Sequence, residues 1–166
     1  MSKCEVRVVP VNDIEYFKFL ATQLAKPSMR SFWEDRMLIN PIETFRYLFM
    51  NPSNFVVDLG PREGVLAFVT QTPAYRAFLY GASWGRKAMR CVEERRTAVT
   101  AAISGLNLSV VDGITKATNI RAQRAMEASG MRRRGKLVQG LWYNGKAVDG
   151  VWYELSREDV NLPPLE

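Results

Sequence analysis

The sequence predicts a mixed α/β (α+β) domain with a largely antiparallel sheet and flanking helices. Short runs rich in valine and aromatic residues recur between turn signals, as in strands. From Gly85 the apolar residues change to helical spacing. Asn144-Gly145 separates two further runs, and this pair is a strong hairpin signal because both turn positions need positive φ. The predicted order is β-α-α-β-β-β-α-β-α-β-β, in a single domain over residues 1–166.

The first half of the chain supplies a strand, two helices and three strands. Residues 4–11 alternate and are rich in valine, which indicates a strand. Asn12 or Asp13 can cap a helix that ends before Pro27. Its apolar stripe consists of Ile14, Phe17, Leu20, Ala21 and Leu24. Pro41 is suited to open a second, short helix. Strands are then predicted at 54–60, 65–72 and 76–83, the first two joined by the turn "PREG".

The second half opens with one long amphipathic helix, predicted from Gly85 to the stop at Gly105. Its apolar positions are Ala88, Cys91, Val92, Val99, Ala102 and Ile103. The charged residues 93–96 are placed mostly on the other faces. The remaining elements are a strand near 106–114, a helix near 119–129, and hairpin strands at 136–143 and 146–155.

Composition narrows the function classes. No apolar run nears the roughly 20 residues of a membrane span, and the first residues lack the apolar segment of a signal peptide. Cys4 and Cys91 imply no disulfide framework, which favours a reducing, cytoplasmic setting. There is no histidine, so the commonest metal ligand and general base is missing and no metal is expected. The net charge of +6 favours an anionic partner, either nucleic acid or a phosphorylated cofactor.

Two segments carry the candidate chemistry. In "SWGRKAM" (83–89), Gly85 precedes a helix whose free N–H groups, with Arg86 and Lys87 beside them, suit a pyrophosphate. The alternative is a glycine turn with two solvated cations. Further along, Asn119 follows a strand and precedes a helix that ends at Gly130-Met131. Asn119 is either an N-cap or a ligand contact.

Together these segments resemble the GNAT superfamily of acyl-coenzyme A-dependent N-acyltransferases. The resemblance rests on "LYGASWGRKAM", on the pattern Asn119, Ala122 and Gly130-Met131, and on the order of the elements, and it is good over 76–158. The "RRRGKL" run and the last hairpin are similar to the tail of the ribosomal-protein type. Divergent loops of this kind occur in bacteriophage-encoded members, which favours a phage origin.

The resemblance implies transfer of an acetyl group from acetyl-coenzyme A to an amine, with no metal. The acceptor is a small molecule, a protein N-terminus or lysine, or a tRNA-borne amine. Many family members are homodimers and splay two central strands to form the coenzyme cleft. The implied coenzyme-binding residues are Ser83, Trp84, Gly85, Arg86, Lys87 and Asn119.

The chain departs from the family pattern at its catalytic positions. Arg86 or Lys87 replaces the second glycine of the coenzyme loop. Met126 stands where many members have a tyrosine acid, and the strand at 76–83 has no glutamate. The nearest carboxylate is Asp112, which can also be a turn residue beside a glycine. Asp112 and Tyr143 are therefore the catalytic candidates, with Tyr80 and Trp84 as further cleft residues.

Two other functions stay open. A GNAT-fold protein without catalysis would act as a binding or regulatory module, as the departures favour. A nucleic-acid-binding domain would use the "MRRRGKL" run with Arg121 and Arg124, and would stack bases on Trp142 and Tyr143. Alternation in the last hairpin instead indicates that these two aromatic residues are core.

Overall fold

The computed structural model describes residues 5–32, 34–35, 41–71 and 75–165. The strands are β1 (Val6–Val8), β2 (Phe55–Leu59), β3 (Gly64–Thr70), β4 (Arg76–Ser83), β5 (Val110–Lys116), β6 (Arg132–Tyr143) and β7 (Lys146–Ser156). The α-helices are α1 (Ile14–Leu24), α2 (Pro41–Phe49), α3 (Arg86–Arg90), α4 (Val92–Gly105) and α5 (Ile120–Ala128). Short 3-10 helices cover Pro27–Phe32 and Glu158–Val160. In these described ranges, none of the helices is both long and apolar enough to cross a membrane.

The strands form one seven-stranded sheet in the order β1-β2-β3-β4-β5-β7-β6. All its pairings are antiparallel except β4 with β5, which is parallel. This confirms the predicted fold class and the predicted order of the main elements. The parallel pair lies at the centre of the sheet, so each of its strands has an antiparallel neighbour on its other side.

Helices pack on both faces of this sheet. Val99 and Ile103 of α4 join a core with Leu79, Val111 and other residues on one face. Tyr16, Phe17 and Leu20 of α1 join a second core on the opposite face, which includes Val56 and Ala67 of the sheet. We call these the α4 face and the α1 face. Because side chains alternate along a strand, neighbouring residues of β4 and β5 serve opposite faces.

Three predicted boundaries in the second half of the chain are wrong. The long helix breaks at Cys91, where ψ of 58° is not helical, so α3 and α4 are separate. β5 covers Val110–Lys116 instead of 106–114, and Asp112 lies inside it, so the alternative of a turn residue is wrong. β6 begins at Arg132, so the basic run "RRRGK" belongs to the sheet. Its arginines can extend because they pair with carboxylates on neighbouring elements.

The expectation for the cysteines is only partly met. Cys91 is fully buried, as predicted for a small core residue. Its sulfur is disulfide-bonded, whereas the sequence implied no disulfide framework. Cys4 lies outside the described residues. The cytoplasmic location, which rested partly on the absence of a disulfide framework, stays a prediction.

Candidate active site

A cleft opens where β4 and β5 separate. Their parallel pairing has three steps and ends at Phe78 and Asp112. β4 nevertheless runs on to Ser83, paired only with β3, and β5 runs on to Lys116, paired only with β7. The backbone of β4 beyond Phe78 therefore lacks a strand partner on its β5 side. Such an edge offers N–H and C=O groups to an extended ligand.

The cleft measures about 630 Å³, lies mainly on the α4 face, and reaches through the gap to Met29 and Ala82 of the α1-face core. This volume lies in the range of small-molecule sites, roughly 300 to 1,000 Å³. β4 contributes Leu79, Gly81 and Ser83, and α5 supplies the opposite wall from Asn119 to Ser129. Gly81 leaves room for the Leu66 side chain beside it, since an added Cβ would lie 3.1 Å from Leu66 Cδ2.

The cleft carries concentrated positive charge. Arg95, Arg121 and Arg124 line it, and none of its described lining residues is Asp or Glu. Burial, and then the charge of Arg121, lowers the pKa of Arg95 from its usual value. An arginine stays protonated at neutral pH even so. The cleft therefore presents cations without internal carboxylates to neutralise them, which favours a polyanionic ligand.

Arg95 is the most constrained of the three cations. Its Nη2 donates to Ser83 Oγ and to the Ala88 carbonyl, both at 2.6 Å. Its Nε is buried and finds no acceptor among the described residues. A buried polar atom without a partner is costly and calls for an explanation. An anionic group in the cleft would provide the missing acceptor.

Asn119 has the capping role that the sequence offered, and its contact with a ligand stays a prediction. Its side chain accepts the Ala122 N–H at 3.1 Å, so it is the N-cap of α5 as predicted. It also lines the cleft, next to the separating strands. Ser83 likewise lines the cleft while its hydroxyl holds Arg95. The structure thus brings together two of the six predicted coenzyme-binding residues.

The other four lie at the start of α3, where an internal carboxylate already sits. The Lys87 N–H donates to Glu63 Oε2 at 2.7 Å, and the N–H groups of Trp84 and Gly85 donate to the Glu63 carbonyl. The Trp84 indole donates to the Arg62 carbonyl at 2.8 Å. None of the residues Trp84, Gly85, Arg86 and Lys87 is among the described residues that line the cleft. Their coenzyme role stays a prediction, and the geometry favours Arg95 in their place.

The structure explains why position 85 is a glycine. A Cβ at this position would lie 2.1 Å from Glu63 Oε2 and 2.4 Å from Glu63 Cδ, while φ of −109° suits any residue. We expect Gly85→Ala to destabilise the protein by about 1 kcal/mol, because the carboxylate must leave the helix end. Thermal denaturation measures this. Adding Gly85→Ala to a Glu63→Ala background should then cost almost nothing, and an undiminished cost there would contradict the explanation.

Asp112 is fully engaged as a hydrogen-bond acceptor. Arg76 donates to it through Nε and Nη2 at 2.7–2.9 Å, and the Trp152 indole donates at 3.0 Å. Its side chain is only 4% exposed. These contacts favour a structural anchor over a free base, although the predicted catalytic role is untested.

Tyr143 lies away from Asp112, at the end of β6. Its ring contacts the Lys116 ammonium, with Nζ 4.4 Å from the ring centroid. Lys116 is the last residue of β5, four positions beyond Asp112. The two catalytic candidates therefore share a face of the sheet without forming one constellation. The role of Tyr143 also stays a prediction.

Met126, at the position where the family resemblance implies a tyrosine acid, lies at the cleft. Its side chain lines the cleft and packs on β5, so that a Cβ at Gly113 would lie 3.1 Å from Met126 Cε. Buried Tyr153 is close in the fold, and its hydroxyl donates to Glu127 Oε1 at 2.9 Å. Burial, followed by its hydrogen bond to Glu127, raises its pKa to about 12.

The basic run of β6 is largely neutralised. Arg132 pairs with Asp159, Arg134 with Glu154, and Lys136 with Asp149, at 2.6–2.9 Å. Trp142 is 49% exposed, so the expectation that it is core is wrong. Its backbone N–H donates to Glu34 Oε1. An ion-paired strand offers few free cations to a phosphate backbone, which weakens the nucleic-acid hypothesis.

Comparison with known proteins supports the fold. Protein-family models and curated proteins yield no match. Among solved structures, a chimera of spermidine N-acetyltransferase from Vibrio cholerae and hSSAT superposes with a TM-score of 0.70 at 14% identity, covering 96% of this chain and 99% of its own. Ribosomal-protein-S5-alanine acetyltransferase from Vibrio fischeri gives 0.69 at 13% identity, covering 99% and 97%.

A third similar structure is a dodecameric spermidine N-acetyltransferase from Vibrio cholerae, with a TM-score of 0.66 at 13% identity, covering 96% and 97%. Within the residues that the structure describes, no group of three or more Cys, Asp or Glu side chains is arranged to hold a metal ion. The similarity to these three solved structures extends over nearly the whole chain, although the sequence identity is only 13–14%. This chain therefore has the fold of the GNAT N-acetyltransferases.

Proposed function

We propose that this protein is an acyl-coenzyme A-dependent N-acyltransferase that transfers an acetyl group to an amine. The main observation that supports this proposal is the cleft between β4 and β5, with its three arginines and the Arg95 Nε that has no acceptor among the described residues. Coenzyme A is a polyanion with an extended pantetheine arm, and both features fit this cleft. The fold shared with N-acetyltransferases adds support.

The residues that would hold the donor come from three elements. Arg95, with Arg121 at the rim, would bind phosphate oxygens through charge-assisted hydrogen bonds. The open edge of β4 would pair with the amides of the pantetheine arm. Asn119 can contact the arm with its amide N–H groups, since its oxygen is already committed to the helix cap.

The coenzyme would supply an acyl thioester. The acceptor nitrogen bonds to its acyl carbon, the C–S bond breaks, and the amine proton is released as the thiol is protonated. Asp112 is already engaged, and Met126 cannot give a proton. The chain therefore contributes chiefly by positioning the two reactants, which can supply roughly 7–11 kcal/mol of the barrier. Water carries the protons in this scheme.

Thermal denaturation with acetyl-coenzyme A tests the proposal. At about 100 times the dissociation constant, ligand binding should add roughly 2.7 kcal/mol. For a chain of this length we expect a rise in Tm of about 5–10 °C. Adenosine, which lacks the phosphates, is the control and should give almost no shift. An unchanged Tm at millimolar acetyl-coenzyme A would argue against the proposed function.

Asn119 should matter for both folding and ligand binding. Asn119→Ala removes the cap and should cost about 1 kcal/mol of stability. Asn119→Ser restores the cap without the amide, so it should recover stability while still binding acetyl-coenzyme A more weakly. Unfolding curves and titration calorimetry on both variants separate the two roles. Unchanged affinity in both variants would leave Asn119 as a cap only.

A second candidate is a coenzyme-binding module without catalysis. The engaged Asp112 and the thioether of Met126 favour it, because Asp112 is held by Arg76 and Trp152 and a thioether has no acidic proton. Thiol release from acetyl-coenzyme A across amine and peptide libraries decides between the two. Tight binding with no thiol release above background hydrolysis would favour the module.

A further inference from the structure

A second cavity, of about 310 Å³, opens on the α1 face of the sheet. Arg76, Phe78, Asp112 and Ile114 line it from the two central strands. Leu137 and Trp152 form its remaining wall, with Gln71 at the edge. The cavity therefore joins a mostly apolar wall to one ion pair, which is the usual composition of a small-molecule site. We call it the Arg76 pocket.

The Arg76 pocket and the coenzyme cleft meet at the same break in the sheet. Phe78 and Asp112 form the last step of the parallel pairing and line the pocket. The next residue of β4, Leu79, lines the cleft on the other face. Two molecules bound on opposite faces would thus approach each other through the gap between the strands.

The carboxylates of the pocket are not available to a cationic ligand. Asp112 accepts four hydrogen bonds, from Arg76 and from the Trp152 indole. Glu154 beside it is shared by Arg134 at 2.8 Å and Arg76 at 3.7 Å. A polyamine needs unpaired carboxylates to replace its hydration. The described residues of this pocket provide none.

Arg76 itself retains one unused edge. Its Nε and Nη2 face Asp112, while Nη1 has no hydrogen-bond partner among the described residues. The side chain is 35% exposed and lines the pocket. Asp112 holds the guanidinium plane in one orientation, so Nη1 is pre-positioned. A fixed guanidinium edge in an apolar pocket suits a carboxylate.

We infer that the Arg76 pocket binds the acceptor as an amine that carries a carboxylate and an apolar or aromatic body. The carboxylate contacts Arg76, the apolar body packs on Phe78 and Trp152, and the amine is directed to the gap between β4 and β5. This inference rests on the proposed function for the fate of the amine, whereas the binding preference stands on the pocket alone.

Direct binding tests the inference without the coenzyme. Saturation-transfer NMR and Trp fluorescence would compare phenylalanine, phenylalaninamide, phenethylamine and spermidine as probes. We expect phenylalanine to bind at least about tenfold more tightly than the amide, phenethylamine or spermidine, because only it offers the carboxylate. Equal or tighter binding of phenethylamine or spermidine would overturn the inference.

Variants of Arg76 link the preference to the pocket. Arg76→Lys keeps a cation for Asp112 but presents no second edge, so the preference for phenylalanine should vanish. The double change Arg76→Gln with Asp112→Asn removes both charges together and serves as a second variant if Arg76→Lys unfolds. A preference that survives in the folded variants would also overturn the inference. If acetyl-coenzyme A fails to bind while phenylalanine still shows the Arg76-dependent preference, the proposed function fails and the pocket assignment stands.

Discussion

Replacing Arg95 by Ala should weaken acetyl-coenzyme A binding by roughly 10- to 100-fold. The side chain has a buried Nε without an acceptor and lies in a cleft whose described lining has no carboxylate. A hydrogen bond to a charged group contributes about 1.5–3 kcal/mol, and each 1.4 kcal/mol is about tenfold in affinity. Titration calorimetry at two salt concentrations measures the loss, which should be smaller at high salt.

Two controls make the Arg95 result specific. The double change Arg86→Ala with Lys87→Ala removes two cations from the start of α3, where Glu63 already occupies the helix end. It should alter affinity by less than about threefold, since only long-range attraction is lost. Arg95→Lys keeps the charge without the guanidinium and should give an intermediate affinity. A larger effect from the α3 pair than from Arg95 would return the phosphate site to the loop predicted from sequence.

Arg95→Ala also removes a structural contact, so stability must be measured beside affinity. Arg95 joins β4 to the α3 segment through Ser83 and Ala88. Arg95→Lys loses only some of these contacts, because an ammonium can still reach one of the two acceptors. If Arg95→Ala has a lower Tm than the unaltered protein, the affinities of both are measured at a temperature below both unfolding transitions.

The spacing of apolar residues in α4 contains a signal that Arg95 faces inward. In α4 the buried positions Val99 and Ala102 continue a stripe through 95, because these residues are spaced by four and three. An arginine on an apolar stripe is either snorkelling or facing a polar site. Placing the charged residues 93–96 mostly on the other faces did not single out Arg95. The break at Cys91 was harder to foresee, since no glycine or proline marks it.

The fold was more predictable than the site because strand and hairpin signals are local. Alternation and Asn144-Gly145 define β6 and β7, and the cap at Asn119 defines α5. The contact of Glu63 with Lys87 joins residues 24 positions apart, and that of Arg76 with Asp112 joins residues 36 apart. Neither pairing has a sequence signature in a single chain. Both decide which charges are left for a ligand.

The pairing of Arg76 with Asp112 should show an asymmetric effect on stability. Arg76→Gln leaves a carboxylate that is 4% exposed with the Trp152 N–H as its main remaining donor. Removing one partner of a buried pair costs 3–5 kcal/mol, and since Arg76 is 35% exposed we expect about 3 kcal/mol. Asp112→Asn instead leaves a cation that can turn to solvent, so we expect about 1 kcal/mol. For a chain of this length these correspond to decreases in Tm of roughly 6–12 °C and 2–4 °C.

The double change Arg76→Gln with Asp112→Asn completes a thermodynamic cycle for this pair. Two neutral amides can hydrogen-bond to each other, so the double variant should be more stable than Arg76→Gln alone. Denaturant unfolding of the four proteins gives the coupling energy, with Arg134→Gln as a control for the neighbouring Glu154 pair. Equal and additive costs for the two single changes would mean that Asp112 is solvated in solution. It would then be free to act as the base that the sequence suggested, and the rate of thiol release in Asp112→Asn would become the deciding measurement.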